Sequence, residues 1–491
     1  MANVTYVYSI DWAGDGTFTG TGDNVTARIL ADTPVTIRYG RDQSRALAPI
    51  TPGSAAFDLD NTSRDYSPEN TSSPLVGLIA PARESLIVAT FNSVSYTLWR
   101  GHLDEFDIDG TPGNRRLKVT HIDVLADLNA STISTGMYSG IRTGDAIGRI
   151  LDAIGWSGGR DIDPGTTVIH WWWEEGTNAW DAILKVIHSE GPPSFVTVDA
   201  TTGNFVYRDR AHRLTDTASK VVQTVFRDKG ADPRFSWPLG YDAGWRDVIN
   251  SVSFNVETRL PTDPGVVWKS DTSIDLGPGE TRSVIMKTDS PLLRMTFVVW
   301  AGSGFGSFDV AFNRISGEAA AVTFTENAGG AARIDALEMH GVLLPVAFTT
   351  QVVVENAASI AKYGRRSYPF DAPWADAQDA FAVANLVIIK RSERLPIVNV
   401  RLTGATDSIK LQQLTRDLSD LVTIIDAETG LNANFYIEQI QHSITGAGGG
   451  NRNLETQYGC EKVGPTTDDP ANVFTFNAAT NGKFNTGRFA H

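Results

Sequence analysis

Cysteine is nearly absent: the 491-residue chain has one, Cys460. A single thiol builds neither an intrachain disulfide framework nor a cysteine-based zinc site, and a buried, inert thiol is expected. Long apolar runs are absent too; none approaches the ~18 residues of a membrane-spanning helix. Met1-Ala2-Asn3-Val4 has no basic region and no apolar core, so no secretory signal is expected. Positive charge is in deficit, with 42 Lys and Arg against 57 Asp and Glu and a formal net charge of −15. That balance argues against a protein whose main task is gripping nucleic acid, and solubility is its simplest explanation.

The motif-borne catalytic templates are missing as well. There is no H-E-x-x-H and no His pair of metalloprotease spacing among the eight histidines. Gly302-Ser303-Gly304-Phe305-Gly306 has the wrong order for a nucleophile elbow. Gly20-Thr21-Gly22 lacks a third glycine and precedes no helix, so it reads as a turn. No catalytic residue, metal or cofactor is therefore assigned, and the chain is read as a non-enzyme. Carboxylate-only glycosidases leave no motif, so they are not addressed by this argument.

What is present is strand after short strand. Val35, Ile37 and Tyr39 alternate with polar residues, as do Ala55, Phe57 and Leu59, which is the period of a half-buried strand. Strand-like runs then recur at roughly ten-residue spacing through Leu117-Lys118-Val119-Thr120, the pattern of a sandwich or barrel. His121 to Leu128 is predicted to add one helical turn. This first β domain is placed at 1–135.

At about residue 140 the period changes. Ile147, Ile150, Leu151 and Ile154 predict a helix capped by Thr143 and ended by Gly155. Trp180, Ile183, Leu184 and Ile187 predict a second, capped by Thr177 or Asn178 and stopped at Gly191-Pro192-Pro193. A hairpin follows around Thr201-Thr202-Gly203, which completes a small α/β domain at 136–212. A second β domain is placed at 213–256 and 356–465. It includes a strand at Asp247-Val248-Ile249-Asn250-Ser251-Val252 and a helix with Trp374, Ala377, Phe381, Ala384 and Ile388 on one face and Pro373 at its start. Between its parts, 257–355 carries Gly- and Asn-punctuated strands and reads as an inserted β-sandwich. Residues 466–491 are too few for a domain and read as an arm. Its Phe474, Phe476, Phe484 and Phe489 need a partner to be buried.

Three constellations invite chemistry. Asp11, Asp15 and Asp23 among glycines suggest a calcium loop, but Ala13 occupies a ligand position and no closing Glu follows, so a turn is preferred. Trp171-Trp172-Trp173-Glu174-Glu175 suggests a sugar site. Adjacent acids on a strand face opposite sides, however, so core packing is preferred. Arg365, Arg366, Lys390, Arg391 and Arg394 form the one local basic concentration. A solvated face is the bland reading; the sharper one makes Arg365, Arg366, Arg391 and Arg394 an oligomer interface.

The N-terminal order carries a resemblance. Ile10-Asp11-Trp12, Asp15-Gly16, Phe18, Val25-Thr26, Gly40-Arg41-Asp42-Gln43, Arg45-Ala46, Leu59-Asp60-Asn61 and Tyr66-Ser67-Pro68-Glu69-Asn70 resemble the opening of minor tail proteins of long-tailed phages, especially of actinobacterial hosts. Tyr39 stands where an Arg is usual. Within that family the tail-tip (baseplate) hub is the nearest pattern, and Thr143 to Trp156, Trp180 to Ile187 and Asp247 to Val252 follow in its order.

The resemblance covers 1–256 and 356–462. It implies a mainly β fold with a small α/β domain and two tail-tube-like β-barrels; the inserted β-sandwich, read from its own strands and turns, and the C-terminal arm fall outside it. It also implies a structural virion protein at the tail tip, made in the host cytoplasm and assembled as a homotrimer. Implied partners are the distal tail protein, the tape measure protein and other minor tail or receptor-binding proteins. Double-stranded DNA would pass during ejection without specific binding. The rival readings are a distal tail adaptor, a receptor- or carbohydrate-binding tail module, and a peptidoglycan hydrolase, the last disfavoured by the missing motifs.

Overall fold

The computed structural model describes residues 3–464, apart from 42–46, 48–49, 112, 114, 271, 304–307, 328, 405 and 447–452. The predicted arm, with Phe474, Phe476, Phe484 and Phe489, lies outside the described residues. The chain is mainly β, as its strand periodicity predicts. Among the described residues no helix is long and apolar enough to cross a membrane.

Twelve strands form one large sheet. From one edge it runs Thr5–Ile10, Glu84–Phe91, Val94–Asp109, Arg116–Ile122, Ile50–Asp60 and Val35–Arg41. It then crosses into the C-terminal chain as Leu431–Thr445, Asn453–Lys462, Ile397–Leu402 and, at the far edge, Ser236–Asp242. Leu421–Asp426 branches from Leu431–Thr445 and takes Thr224–Arg227 in parallel. Each half has its own core. Tyr8, Ile10, Trp12, Ile37, Phe57, Leu117 and Val119 fill the first, and Phe226, Val400, Ile424, Phe435, Ile440 and Tyr458 fill the second. The two strand sets expected as barrels are thus two cores on one open sheet, without ring closure among the described residues.

The join between the halves is the antiparallel pair from Val35↔Ile444 to Gly40↔Gln439. Gly40 has φ +105°, and a Cβ there would meet the Glu438 carbonyl oxygen at 2.5 Å. Only glycine allows this approach. Beside it lies a buried ion-pair node. Arg41 Nε donates to Glu438 at 2.9 Å and Arg213 donates to the other carboxylate oxygen at 2.5 Å. The Arg41 guanidinium also donates to the carbonyls of Pro193 and Ser194, at 2.6 and 2.8 Å. One carboxylate therefore ties together both sheet halves, the α/β unit and the short helix His212–Thr215.

The α/β unit forms as its periodicity predicts, with one change at a cap. Asn178 accepts from the N–H groups of Trp180 and Asp181 and starts the helix Ala179–Glu190. The helix Thr143–Ala153 is not capped by Thr143, because that hydroxyl is buried and donates to Glu190 at 2.7 Å. Asp145 instead accepts from the Arg142 N–H at 3.3 Å. His121 to Leu128 does coil, as a 3-10 helix over Val124–Ala130 capped by Asp123.

Two expectations about the C-terminal half are corrected. The Ser251–Arg259 strand does not open a barrel. It leaves the large sheet, pairs antiparallel with Val346–Glu355 and parallel with Ser367–Pro369, and packs under the helix Ala377–Arg391. That helix is capped by Asp376, whose carboxylate accepts from the Asp379 N–H at 2.8 Å, so Pro373 lies outside it. Its buried face is Ala380, Val383, Ala384, Val387 and Ile388, while Phe381 faces solvent.

The insertion is a two-layer β module. Gly265–Lys269, Ile274–Leu276, Leu292–Ser303 and Ala332–Leu343 form one sheet, and Thr281–Lys287, Phe308–Arg314 and Ala319–Glu326 the other. Leu276, Met286, Leu292, Val322, Phe324, Ile334, Leu337 and Met339 fill the space between. Ala332–Leu343 escapes sequence reading because its Ala, Leu, Glu and Met favour helix. Pairing with three neighbours overrides that preference.

Two buried features predict measurable behaviour. Glu438→Gln leaves two buried guanidinium groups without their counter-charge and is expected to cost about 3–5 kcal/mol in denaturant unfolding. A loss within experimental error would show that the node is not a fastening. His121 is wholly buried and stacks on Phe57 at 4.8 Å, and among the described residues neither ring nitrogen has a hydrogen-bond partner. Burial, with His102 nearby, holds its pKa down at about 3, and burial holds His442 at about 4.

Both histidines bind fewer protons folded than unfolded. Their contribution to stability is complete above pH 6.5 and is lost as the pH falls toward those values. Asp123 and Asp420, raised by burial to about 7, act in the opposite sense over the same window. His121→Phe is therefore expected to flatten the fall in Tm between neutral and acidic pH. An unchanged pH slope would contradict this account.

Candidate functional site

The N-terminal acids belong to turns. Asp11 accepts from the N–H groups of Gly14 and Gly16 at 2.7 and 2.8 Å, and Asp23 from those of Gly20 and Trp12 at 2.6 and 3.2 Å. These bonds wrap the loop around the buried Trp12, whose indole N–H donates to Gly22 O at 3.2 Å. The Asn61 to Asn70 stretch works in the same way. Buried Asn61 accepts from the Tyr66 N–H at 3.0 Å and donates to Ser67 at 3.2 Å. In these two stretches the motif residues thus hold loop geometry, while Asp42, Gln43, Arg45 and Ala46 lie outside the described residues.

The basic cluster divides. Arg391 is buried and donates twice to Glu461 in its own chain, so it is withdrawn from the proposed interface. Lys390 is buried as well. Arg365 is exposed and paired with Glu355. Arg366 and Arg394 are exposed, and the Arg394 guanidinium lies 5.8 Å from the ring centre of Trp245. Sequence reasoning separated these residues poorly because Lys390 and Arg391 sit on the helix face that turns toward Glu461.

The Trp-Glu run is mostly internal. Trp172 is fully buried and stacks on Tyr138 at 5.8 Å. Trp173 is buried between the Arg259 guanidinium, 4.9 Å from its ring centre, and Trp374 at 5.1 Å. Glu174 is buried and pairs with Lys185 at 3.1 Å. The alternation expected for core packing holds for Trp172, whereas Trp171 stays half-buried on a cleft. Cys460 is buried in the second core, and burial pushes its thiol pKa up, as an inert thiol requires.

One surface was missed from sequence. At the far edge of the large sheet, Trp237 and Tyr241 are exposed, and just beyond them Trp245 is 57% exposed. Trp245 packs edge-on to Tyr363 at 6.4 Å. Exposed aromatics beside arginine are the composition of interaction surfaces rather than of ordinary solvent faces. The strand period gave no sign of it, since edge position is a tertiary property.

Among known proteins, no family model and no curated relative matches the chain. Solved structures do. A tail protein from Neisseria meningitidis MC58 aligns with TM-score 0.50 and 11% identity, covering 95% of this chain and 99% of that one. A prophage MuSo2 43 kDa tail protein from Shewanella oneidensis aligns with TM-score 0.48 and 12% identity, covering 95% and 99%. Prophage tail protein gp18 from Listeria monocytogenes EGD-e aligns at 0.42 and 7%, covering 92% and 94%. At these identities the likeness is one of fold, and the fold is that of the Neisseria tail protein.

Proposed function

We propose that the chain is a structural hub of a phage-type tail tip, assembled as a homotrimer around the path of the ejected DNA. The observation that supports this most is the two-core layout of the large sheet. Two β units per chain would let three copies present six units to a hexameric ring, which a one-unit adaptor matches only with six copies. In this reading one face meets the distal tail protein, the centre encloses the end of the tape measure, and other tail proteins attach outside. The role is structural and non-enzymatic.

In this reading the neighbouring copy packs against Trp245 and Arg394, and the exposed Arg366 and the Arg365–Glu355 pair are assigned to the same contact. Exposed Trp and Arg are the residue types that dominate binding energy once desolvated. The inserted sandwich is assigned to docking of peripheral proteins or of the host surface. It is attached through a two-stranded ribbon, and insertions are tolerated at exposed sites. The net charge of −15 suits a channel that lets DNA through without holding it, given acids on its inner wall.

The mass of the purified assembly tests the proposal. A trimer is expected by light scattering, and Trp245→Ala is expected to shift it toward monomer at unchanged Tm. A hexamer, or a monomer that stays monomeric with the other tail proteins present, would overturn the hub reading. Imaging of the assembled tip decides the channel: a wall rich in unpaired Arg and Lys would leave the net charge as a matter of solubility alone.

A further inference from the structure

One sequence motif has no part in the hub role: the aromatic run that ends at Trp173. We propose that the cleft between the small α/β unit and the root of the inserted sandwich is a binding site for a neutral saccharide. The cleft encloses about 610 Å³ and is lined by Trp171, Trp173 and Trp374, by the ribbon residues Asn255 to Arg259, and by Thr349 and Asp371. That volume lies within the range of small-molecule sites.

The wall is built before any ligand arrives. Trp173 is clamped between Arg259 and Trp374. On the sandwich side Gly317 comes so close that a Cβ there would lie 2.5 Å from the Trp173 indole. A preformed aromatic wall lowers the ordering cost of binding. Trp171, half-buried, adds a ring at the cleft surface. Indole faces are electron-rich, and the weakly positive C–H face of a pyranose complements them.

The polar groups choose the ligand class. Lys185 and Arg259 are already paired, with Glu174 at 3.1 Å and Glu257 at 2.7 Å, and the exposed imidazole of His170 also lines the cleft. Asp376 is occupied as the helix cap. An anionic ligand would therefore have to compete with these two ion pairs and would meet the exposed carboxylate of Asp371. The exposed Asn255 amide, the Thr349 hydroxyl and Asp371 together offer the donors and acceptors that sugar hydroxyls need.

The test uses the full chain, with tryptophan fluorescence and calorimetry against glucose, galactose, N-acetylglucosamine and maltose, and N-acetylneuraminate as the anionic counterpart. Saturable binding of at least one neutral sugar is expected. Trp171→Ala should weaken it by about tenfold or more, while Val94→Ala, at an exposed hairpin residue outside the cleft lining, should leave it unchanged. Tm of both variants separates lost binding from lost folding, and Asn255→Ala gives a second disabling change on an exposed side chain. Absence of binding by all four neutral sugars, equal binding by the Trp171 variant, or preference for N-acetylneuraminate would overturn the proposal. The hub reading is unaffected by any of these results, because assembly is read from mass.

Discussion

Glu438 is the point on which the architecture turns. It is 3% exposed, sits on the central Leu431–Thr445 strand, and takes one guanidinium from each side of the chain. A carboxylate buried this deeply is costly unless its oxygens are matched. Arg41 and Arg213 match both, and their remaining N–H groups reach Pro193, Ser194 and Ser419. Such a node adds little net stability compared with an apolar core, but it penalises every arrangement that leaves a partner out. Gly40 is the steric condition for it, since any side chain there would push the two strands apart.

A second lock, Arg391 with Glu461, ties the long helix to the same half of the sheet. Between these two ion pairs the α/β unit, both β cores and the helix are fastened as one body. The inserted sandwich is held differently. Its ribbon is covered by the Ala377–Arg391 helix only near the root, where Val252, Phe254 and Val354 are buried. Farther out, Val346 to Gln351 are exposed. The Trp173 clamp and Gly317 add contact with the body, so the cleft lies at the joint between a fastened and a tethered part.

Exposure also separates two kinds of aromatic residue. Trp12, Trp172 and Tyr458 are buried, whereas Trp237 and Tyr241 lie exposed on the edge strand Ser236–Asp242 and Trp245 just past it. A sheet edge presents backbone groups and side chains without a neighbouring strand. Aromatic side chains there are unusual for a solvent face and fit a contact surface.

Local chemistry was legible from the residues alone. The alternation at Val35 to Tyr39 and Ala55 to Leu59 identified buried faces, Asn178 identified a helix start, and the Asp11 and Asn61 stretches identified turns. Each depends on interactions within a few residues, which the order of side chains encodes directly. What the order of residues left open was decided at long range. Ser251–Arg259 left the large sheet because Val346–Glu355 was available to pair with it, almost a hundred positions later in the numbering. Ala332–Leu343 became a strand because three others flank it. Arg391 turned inward because Glu461 waits there, and Trp171 reached a cleft whose other wall comes from residues 255–259 and 371–377. Pairing, burial and charge matching between distant segments are properties of the folded chain, and only the tertiary structure assigns them.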